Sequence, residues 1–168
     1  MNVLIRKEKA EDIDDIFKLI ETAFQNQPYA THTEQFIVNA LRASGELTLS
    51  LVATEQQKII GQVAISPVTI SSGATDWYGL GPISVLPERQ HQGIGSLLMQ
   101  AALNKLKQIN AQGCILVGDP AFYHRFGFHT CPDLHYPNIA QEYVQVASFT
   151  EALPKGVVMF SEAFNATE

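Results

Sequence analysis

Apolar residues change their spacing several times along this chain, and each change marks an element. Val3 to Ile5 is a short apolar run with β-branched ends, after which Ile13, Ile16, Phe17, Ile20 and Phe24 recur on one face of a helical wheel. The pattern predicts a strand followed by an amphipathic helix. After Pro28, residues 31–42 open with Thr31-x-x-Glu34, the spacing of a capping box, and place Phe36, Ile37, Ala40 and Leu41 on one face. A second helix is predicted there. Leu47, Leu49, Leu51 and Ala53 then alternate with Thr48 and Ser50, and Ile59, Gly61, Val63 and Ile65 repeat the alternation beyond Gln56-Gln57-Lys58. These runs read as an antiparallel hairpin.

Residues 77–86 are aromatic and apolar, bounded by Ser71-Ser72-Gly73 and Pro87, and read as a further strand. Ile94, Leu97, Leu98, Ala101, Ala102, Leu106 and Ile109 follow at helical spacing up to Gly113, and Cys114 to Val117 is a buried apolar run. Strand, loop, helix and strand make a βαβ crossover, which places the chain in the α/β class. A short helix is expected over 122–126, and closing strands over 143–146 and 157–160.

The 168 residues, 46% of them hydrophobic, suffice for one full core, so 1–168 is read as a single domain. Charged residues make up 17% and the formal charge is -6, without the clustered Lys and Arg that neutralise nucleic-acid phosphates; nucleic acid is not an expected partner. The acidic balance leans slightly toward cationic substrates such as amines. Cys114 and Cys131 form neither a disulfide framework nor a CxxC metal site. His32, His91, His124, His129 and His135 lack HxxxH or HExxH spacing, so no metal is expected. The N-terminus has no signal-peptide core, and no apolar stretch reaches the ~20 residues of a membrane span. No membrane association and a cytoplasmic location are expected.

Between the strand and the long helix stands Pro87-Glu88-Arg89-Gln90-His91-Gln92-Gly93-Ile94-Gly95-Ser96. The first N–H groups of a helix lack internal partners and the dipole adds about half a positive charge, so glycines here let a phosphate reach the backbone. The same glycines would also serve a tight turn and close helix-to-sheet packing. A P-loop is excluded because no Lys follows Gly95, and a dinucleotide fingerprint because its last glycine place is Leu98.

Gln90-x-x-Gly93-x-Gly95 after Val85-Leu86-Pro87-Glu88 resembles the Q/R-x-x-G-x-G/A signature of the GNAT N-acetyltransferase superfamily. Tyr123-x-x-x-Gly127-Phe128 resembles the family's Y-x-x-x-G-F element after the next strand. The order of elements fits over the full chain. The stretch Val117 to Tyr123 and the ending Gly156-Val157-Val158 further resemble a bacterial subgroup called YhbS-like.

The resemblance implies a mixed central sheet, flanked by helices and splayed between its fourth and fifth strands, with acetyl-CoA as co-substrate. It implies that backbone groups of Ile83, Ser84 and Val85 bind pantetheine, and that Gln90, His91, Gln92, Gly93, Ile94, Gly95 and Ser96 hold the pyrophosphate. It implies direct attack of an amine on the thioester, with Tyr123 contacting the CoA sulfur and protonating the departing thiolate. Several members carry Glu where this chain has Gly79, so that base is missing. Glu34, Glu21, His32, Asp76 or a water chain remain, with Glu34 chosen for its place on the second helix; the capping box is the competing reading. His124 and Arg125 could help neutralise the cofactor's phosphates, or be solvated surface charges. The acceptor is a small amine, a peptide N-terminus or a lysine, with Phe24, Tyr29, Phe36, Trp77 and Tyr136 as pocket or core aromatics. A non-catalytic acyl-CoA-binding regulator is the alternative, a loop that only packs is a third reading, and the family allows a homodimer.

Overall fold

The computed structural model describes residues 2–168. In chain order the elements are β1 (Leu4–Lys7), α1 (Ile13–Phe24), α2 (Glu34–Ala43), β2 (Leu49–Glu55), β3 (Lys58–Pro67), β4 (Thr69–Ile70), β5 (Trp77–Val85), α3 (Ile94–Gln108), β6 (Gly113–Val117), α4 (Pro120–Tyr123), β7 (His129–Thr130), β8 (Leu134–His135), β9 (Val144–Ser148) and β10 (Gly156–Met159). The chain packs as two compact units. The first holds residues up to Ile65, Gly81–Ala102 and Glu162–Glu168, and the second holds Ser66–Leu80 and Leu103–Ser161.

In the first unit the strands run β1-β2-β3-β5. β1 and β2 are antiparallel, as are β2 and β3. A bulge at Ile60, where Ala53 and Thr54 oppose Gly61 and Ile59, reverses which face each following β3 residue takes. On one face Val52 and Ala64 join Ile16, Leu19, Ile20 and Val38 from α1 and α2 in a buried cluster. On the other, Gly61 lies so close to Ile94 and Leu98 of α3 that a Cβ there would sit 3.3 and 3.0 Å from them. Both faces of the hairpin are therefore covered. Ser50, Thr54 and Gln62 are buried where the alternation in the sequence suggests an exposed face; Gln62 Nε2 donates to Ser50 Oγ at 3.0 Å, which pairs two of these polar groups within the core. Arg6 holds Asp12 in a bidentate pair at 2.7 and 3.1 Å, which fixes the entry to α1 and holds the Asp12 carboxyl below its ordinary range.

In the second unit the strands run β5-β6-β9-β7, with β5 and β6 parallel and β9 antiparallel to its neighbours. A separate sheet of order β4-β10-β8 contributes Ile70, Leu134 and Val158 to a core with Trp77, Ile115 and Val146. The closing strand expected over 157–160 thus belongs to this smaller sheet, because Val158 and Met159 pair with Ile70 and Thr69. Pairing of β5 with β6 covers only Trp77↔Gly113, Tyr78↔Cys114 and Gly79↔Ile115. Beyond Gly79, β5 continues to Val85 without β6 opposite it, and the fourth and fifth strands of the sheet splay as expected.

Candidate active site

Eight residues separate the end of β5 from the start of α3, and several side-chain bonds hold them. Pro87–Arg89 form one 3-10 turn. Arg89 Nη1 donates to Glu55 at 2.6 Å, holding that carboxyl below its usual range, while Arg89 Nε donates to Gln92 Oε1 at 3.1 Å. Gln92 Nε2 returns to the Glu88 carbonyl at 3.2 Å. The Gln92 side chain therefore folds back on the turn, and only its backbone is left to face a ligand. His91 and Gly93 have positive φ, 61° and 87°, so the chain alternates its peptide direction through the loop. Such alternation turns successive N–H groups to one side, the arrangement that cradles anions.

The first α-helical hydrogen bond of α3 runs from Leu97 N to the Gly93 carbonyl at 3.1 Å. The amides of Ile94, Gly95 and Ser96 come before it and have no carbonyl within the helix to bond. Ile94, only 1% exposed, anchors this first turn in the core. The 15-residue helix adds its dipole at this end. The residues expected to hold a pyrophosphate thus meet at one helix N-terminus and fit such a group.

The edge of β5 supplies the next part. Leu86 N donates to the Ile60 carbonyl at 2.9 Å, and the Ser84 carbonyl likewise lies on the β3 side, 3.2 Å from where a Gly61 Cβ would be. Strand alternation then turns the amides and carbonyls of Ile83 and Val85 toward the opposite edge. One of these groups is engaged: Gln90 Nε2 donates to the Val85 carbonyl at 3.2 Å. A ligand that pairs with this carbonyl either shares it with Gln90 or displaces the Gln90 side chain.

Beside this edge lies a cavity of about 340 Å³. Ala23, Phe24, Gln27, Tyr29, Ala30 and Glu34 line it from α1, the following loop and α2; Ile83, Ser84, Val85 and Gln90 line it from β5 and its loop. Glu34 Oε2 accepts from Thr31 N at 2.9 Å and Thr31 Oγ1 at 3.1 Å. The cap of α2 is Thr33 rather than Thr31, so Glu34 is the first helical residue and the expected capping box is not formed. Its other oxygen, Oε1, is buried without a partner, and so is Ser84 Oγ. Of the five aromatics named from the sequence, Phe24 and Tyr29 line the cavity. Trp77 is core, Phe36 stacks edge-on with Phe17 and Tyr136 packs on Phe160. Glu21, His32 and Asp76 are exposed and do not line it.

In the second unit, Asp119 Oδ1 caps α4 by accepting from Ala121 N at 2.9 Å, and Tyr123 closes that single turn. The Tyr123 ring packs edge-on with Phe122 and Phe128, at centroid distances of 4.8 and 6.1 Å. Burial, with the Asp119 charge adding, pushes its phenol up to about 12. The side chain is therefore a proton donor at any ordinary pH. Gly118 is required by close approach, since a Cβ there would collide with the Tyr123 ring. Gly118 is itself clamped, donating to the Tyr143 carbonyl at 2.9 Å and accepting from Gln145 Nε2 at 2.9 Å. Sequence reasoning missed Gln145; its signal is a glutamine between Val144 and Val146 of an apolar strand, and it is 1% exposed. Arg125 stacks on Phe122 and Phe126 at 4.8 and 5.7 Å.

Gly79 also has a structural reason. A Cβ there would collide with the Phe160 ring, so no carboxylate fits at that position while Phe160 is in place. Cys114 is fully buried, and burial pushes its thiol well above the ordinary range, as befits a packing residue. Among the described residues no cluster of His, Cys, Asp and Glu is suited to a metal, and no helix is long and apolar enough to cross a membrane.

The acetyltransferase (GNAT) domain family matches residues 4–131. The Escherichia coli K12 protein named uncharacterized N-acetyltransferase YhbS is 35% identical over 127 residues, which cover 75% of this chain and 73% of that protein. Among solved structures, a GNAT family acetyltransferase from Brucella melitensis in complex with acetyl-CoA superposes with a TM-score of 0.87 at 42% identity, covering 97% of this chain and 98% of that one. YhbS from Escherichia coli in complex with CoA gives a TM-score of 0.90 at 31% identity, covering 100% and 94%. The sheet splayed between its fourth and fifth strands and flanked by helices is the architecture these structures share with it. By the family match, the sequence identity and the fold together, this chain belongs to the GNAT acetyltransferase family.

Proposed function

We propose that the protein is a cytoplasmic N-acetyltransferase that moves the acetyl group of acetyl-CoA to an amine by direct attack in a ternary complex. The observation that carries this reading is the N-terminus of α3, where unbonded amides and the alternating loop form a backbone anion site. The complexes of the Brucella melitensis relative with acetyl-CoA and of YhbS with CoA support it. The amides from Gln92 to Ser96, with Gln90 and His91 at the mouth, hold the pyrophosphate. The edge groups of Ile83 and Val85 orient pantetheine, while the Ser84 backbone faces β3 and takes no part.

Acetyl-CoA supplies the thioester carbonyl that the amine nitrogen attacks. Glu34 accepts the proton the amine gives up, through the oxygen that has no other partner. Tyr123 gives its phenolic proton to the sulfur as the carbon–sulfur bond breaks, and recovers one from solvent. Proximity in the ternary complex provides most of the acceleration, since no covalent enzyme intermediate is formed. A non-catalytic acyl-CoA-binding regulator is the second reading, favoured by the engagement of Glu34 Oε2 with Thr31.

Calorimetric titration with acetyl-CoA, desulfo-CoA and ATP tests the proposal. Micromolar binding of both CoA species and little response to ATP are expected, followed by CoA release when amines are added. Folded protein that binds no CoA species overturns both readings, whereas binding without turnover of any amine leaves the regulator.

A further inference from the structure

We propose that the cavity at the β5 edge is the acceptor site and that it takes a compact primary monoamine without a carboxylate, held as its ammonium ion by Glu34 and Ser84. This inference rests on the acetyltransferase reading and narrows it, excluding amino acids, polyamines and protein lysines as preferred acceptors.

The argument starts from the unsatisfied groups. Glu34 Oε1 and Ser84 Oγ are buried, make no hydrogen bond, and belong to residues that line the same cavity. Ser84 is only 3% exposed. A buried carboxylate oxygen without a donor is costly, and so is a buried hydroxyl; two on residues that line one cavity mark a place where a ligand brings the donors. An ammonium ion has three N–H donors and no acceptor, and so matches a carboxylate oxygen and a hydroxyl together.

Charge then restricts the rest of the ligand. Glu34 is the single acidic side chain in the lining, which contains no Lys, Arg or His. A ligand carboxylate would find no cation there and would face Glu34, so an amino acid is disfavoured. A second ammonium would find no second carboxylate, so a polyamine loses its charge partner inside the site. The remaining wall is apolar and aromatic, with Phe24, Ala30, Ile83 and Val85 on it and Tyr29, 97% exposed, at the rim. A volume of about 340 Å³ lies at the low end for small-molecule sites and suits an amine with one apolar body.

The test uses the full-length protein saturated with CoA, which blocks turnover, and titrates four probes by calorimetry: phenethylamine, phenylalanine, spermidine and 2-phenylethanol. Phenethylamine is expected to bind at least about tenfold more tightly than each of the others. Glu34→Gln is expected to lose about tenfold of that affinity, Ser84→Ala about threefold, and both to keep the wild-type affinity for CoA, which shows that they fold. Equal binding of phenylalanine or spermidine, no phenethylamine binding by CoA-loaded protein, or unchanged phenethylamine affinity in Glu34→Gln overturns the proposal while leaving the acetyltransferase reading intact. Loss of CoA binding by wild-type protein overturns the reading beneath it.

Discussion

Two regions of the molecule are assembled on opposite principles. The loop before α3 offers backbone: its side chains are exposed or turned back on the loop, and its shape rests on two positive φ angles and the ties among Glu55, Arg89, Gln92 and Glu88. The turn carrying Tyr123 offers one side chain, and its accuracy rests on packing against Gly118, Phe122 and Phe128. The first should tolerate most side-chain changes and fail when backbone shape or charge changes. The second should respond to a single atom or methyl group.

The largest effect is expected from Gly93→Glu, which strains a left-handed position and puts a negative charge where the proposal places the phosphates. Acetyl-CoA affinity should fall by at least about a hundredfold in calorimetry with the fold retained by circular dichroism. Affinity within about threefold of wild type would remove the loop from the cofactor site. Tyr123→Phe comes next: turnover should fall by about a hundredfold while the CoA dissociation constant barely moves. In the wild-type protein burial keeps the phenol protonated until the pH nears 12, so loss of the Tyr123 proton should not produce an alkaline limb in kcat below that range. Unchanged turnover in the variant takes Tyr123 out of the mechanism.

Gly118→Ala tests the packing directly. The added methyl must displace the Tyr123 ring, which should cost about tenfold in kcat and about 1–3 kcal/mol of stability in chemical denaturation. A variant with normal kcat would show that the ring need not be held so tightly. Gln92→Ala should do least. It removes two loop hydrogen bonds and should weaken CoA binding by about threefold, whereas a loss as large as that of Gly93→Glu would mean that the Gln92 side chain itself contacts the ligand.

Most elements were legible because their periodicities are strong. The apolar stripe of α1 and the run of α3 each fall within a residue or two of their predicted limits. The hairpin was legible too, but its burial was not. Ser50, Thr54 and Gln62 are polar, yet helices cover both sides of β2 and β3, and which faces will be covered is settled by tertiary packing rather than local pattern. The α2 start failed for a similar reason: Thr31 and Thr33 compete as caps, and the chain uses Thr33 while Glu34 still reaches back to Thr31.

For the site, the glycine spacing disclosed the loop and the Tyr-to-Gly-Phe spacing disclosed the turn. The clamp from Gln145 and the unpaired oxygens of Glu34 and Ser84 were out of reach, because each depends on residues far apart in sequence meeting in space.

The contact between Gly79 and Phe160 ties together two positions some eighty residues apart. Placing a carboxylate at 79 alone inserts it into a space a ring already fills, while shrinking Phe160 alone opens a hole. Each single step is unfavourable and only the pair is compatible, so the two sites should exchange residues in concert. A Gly79→Glu, Phe160→Ala double variant is the shortest route by which this scaffold could acquire a base on that strand.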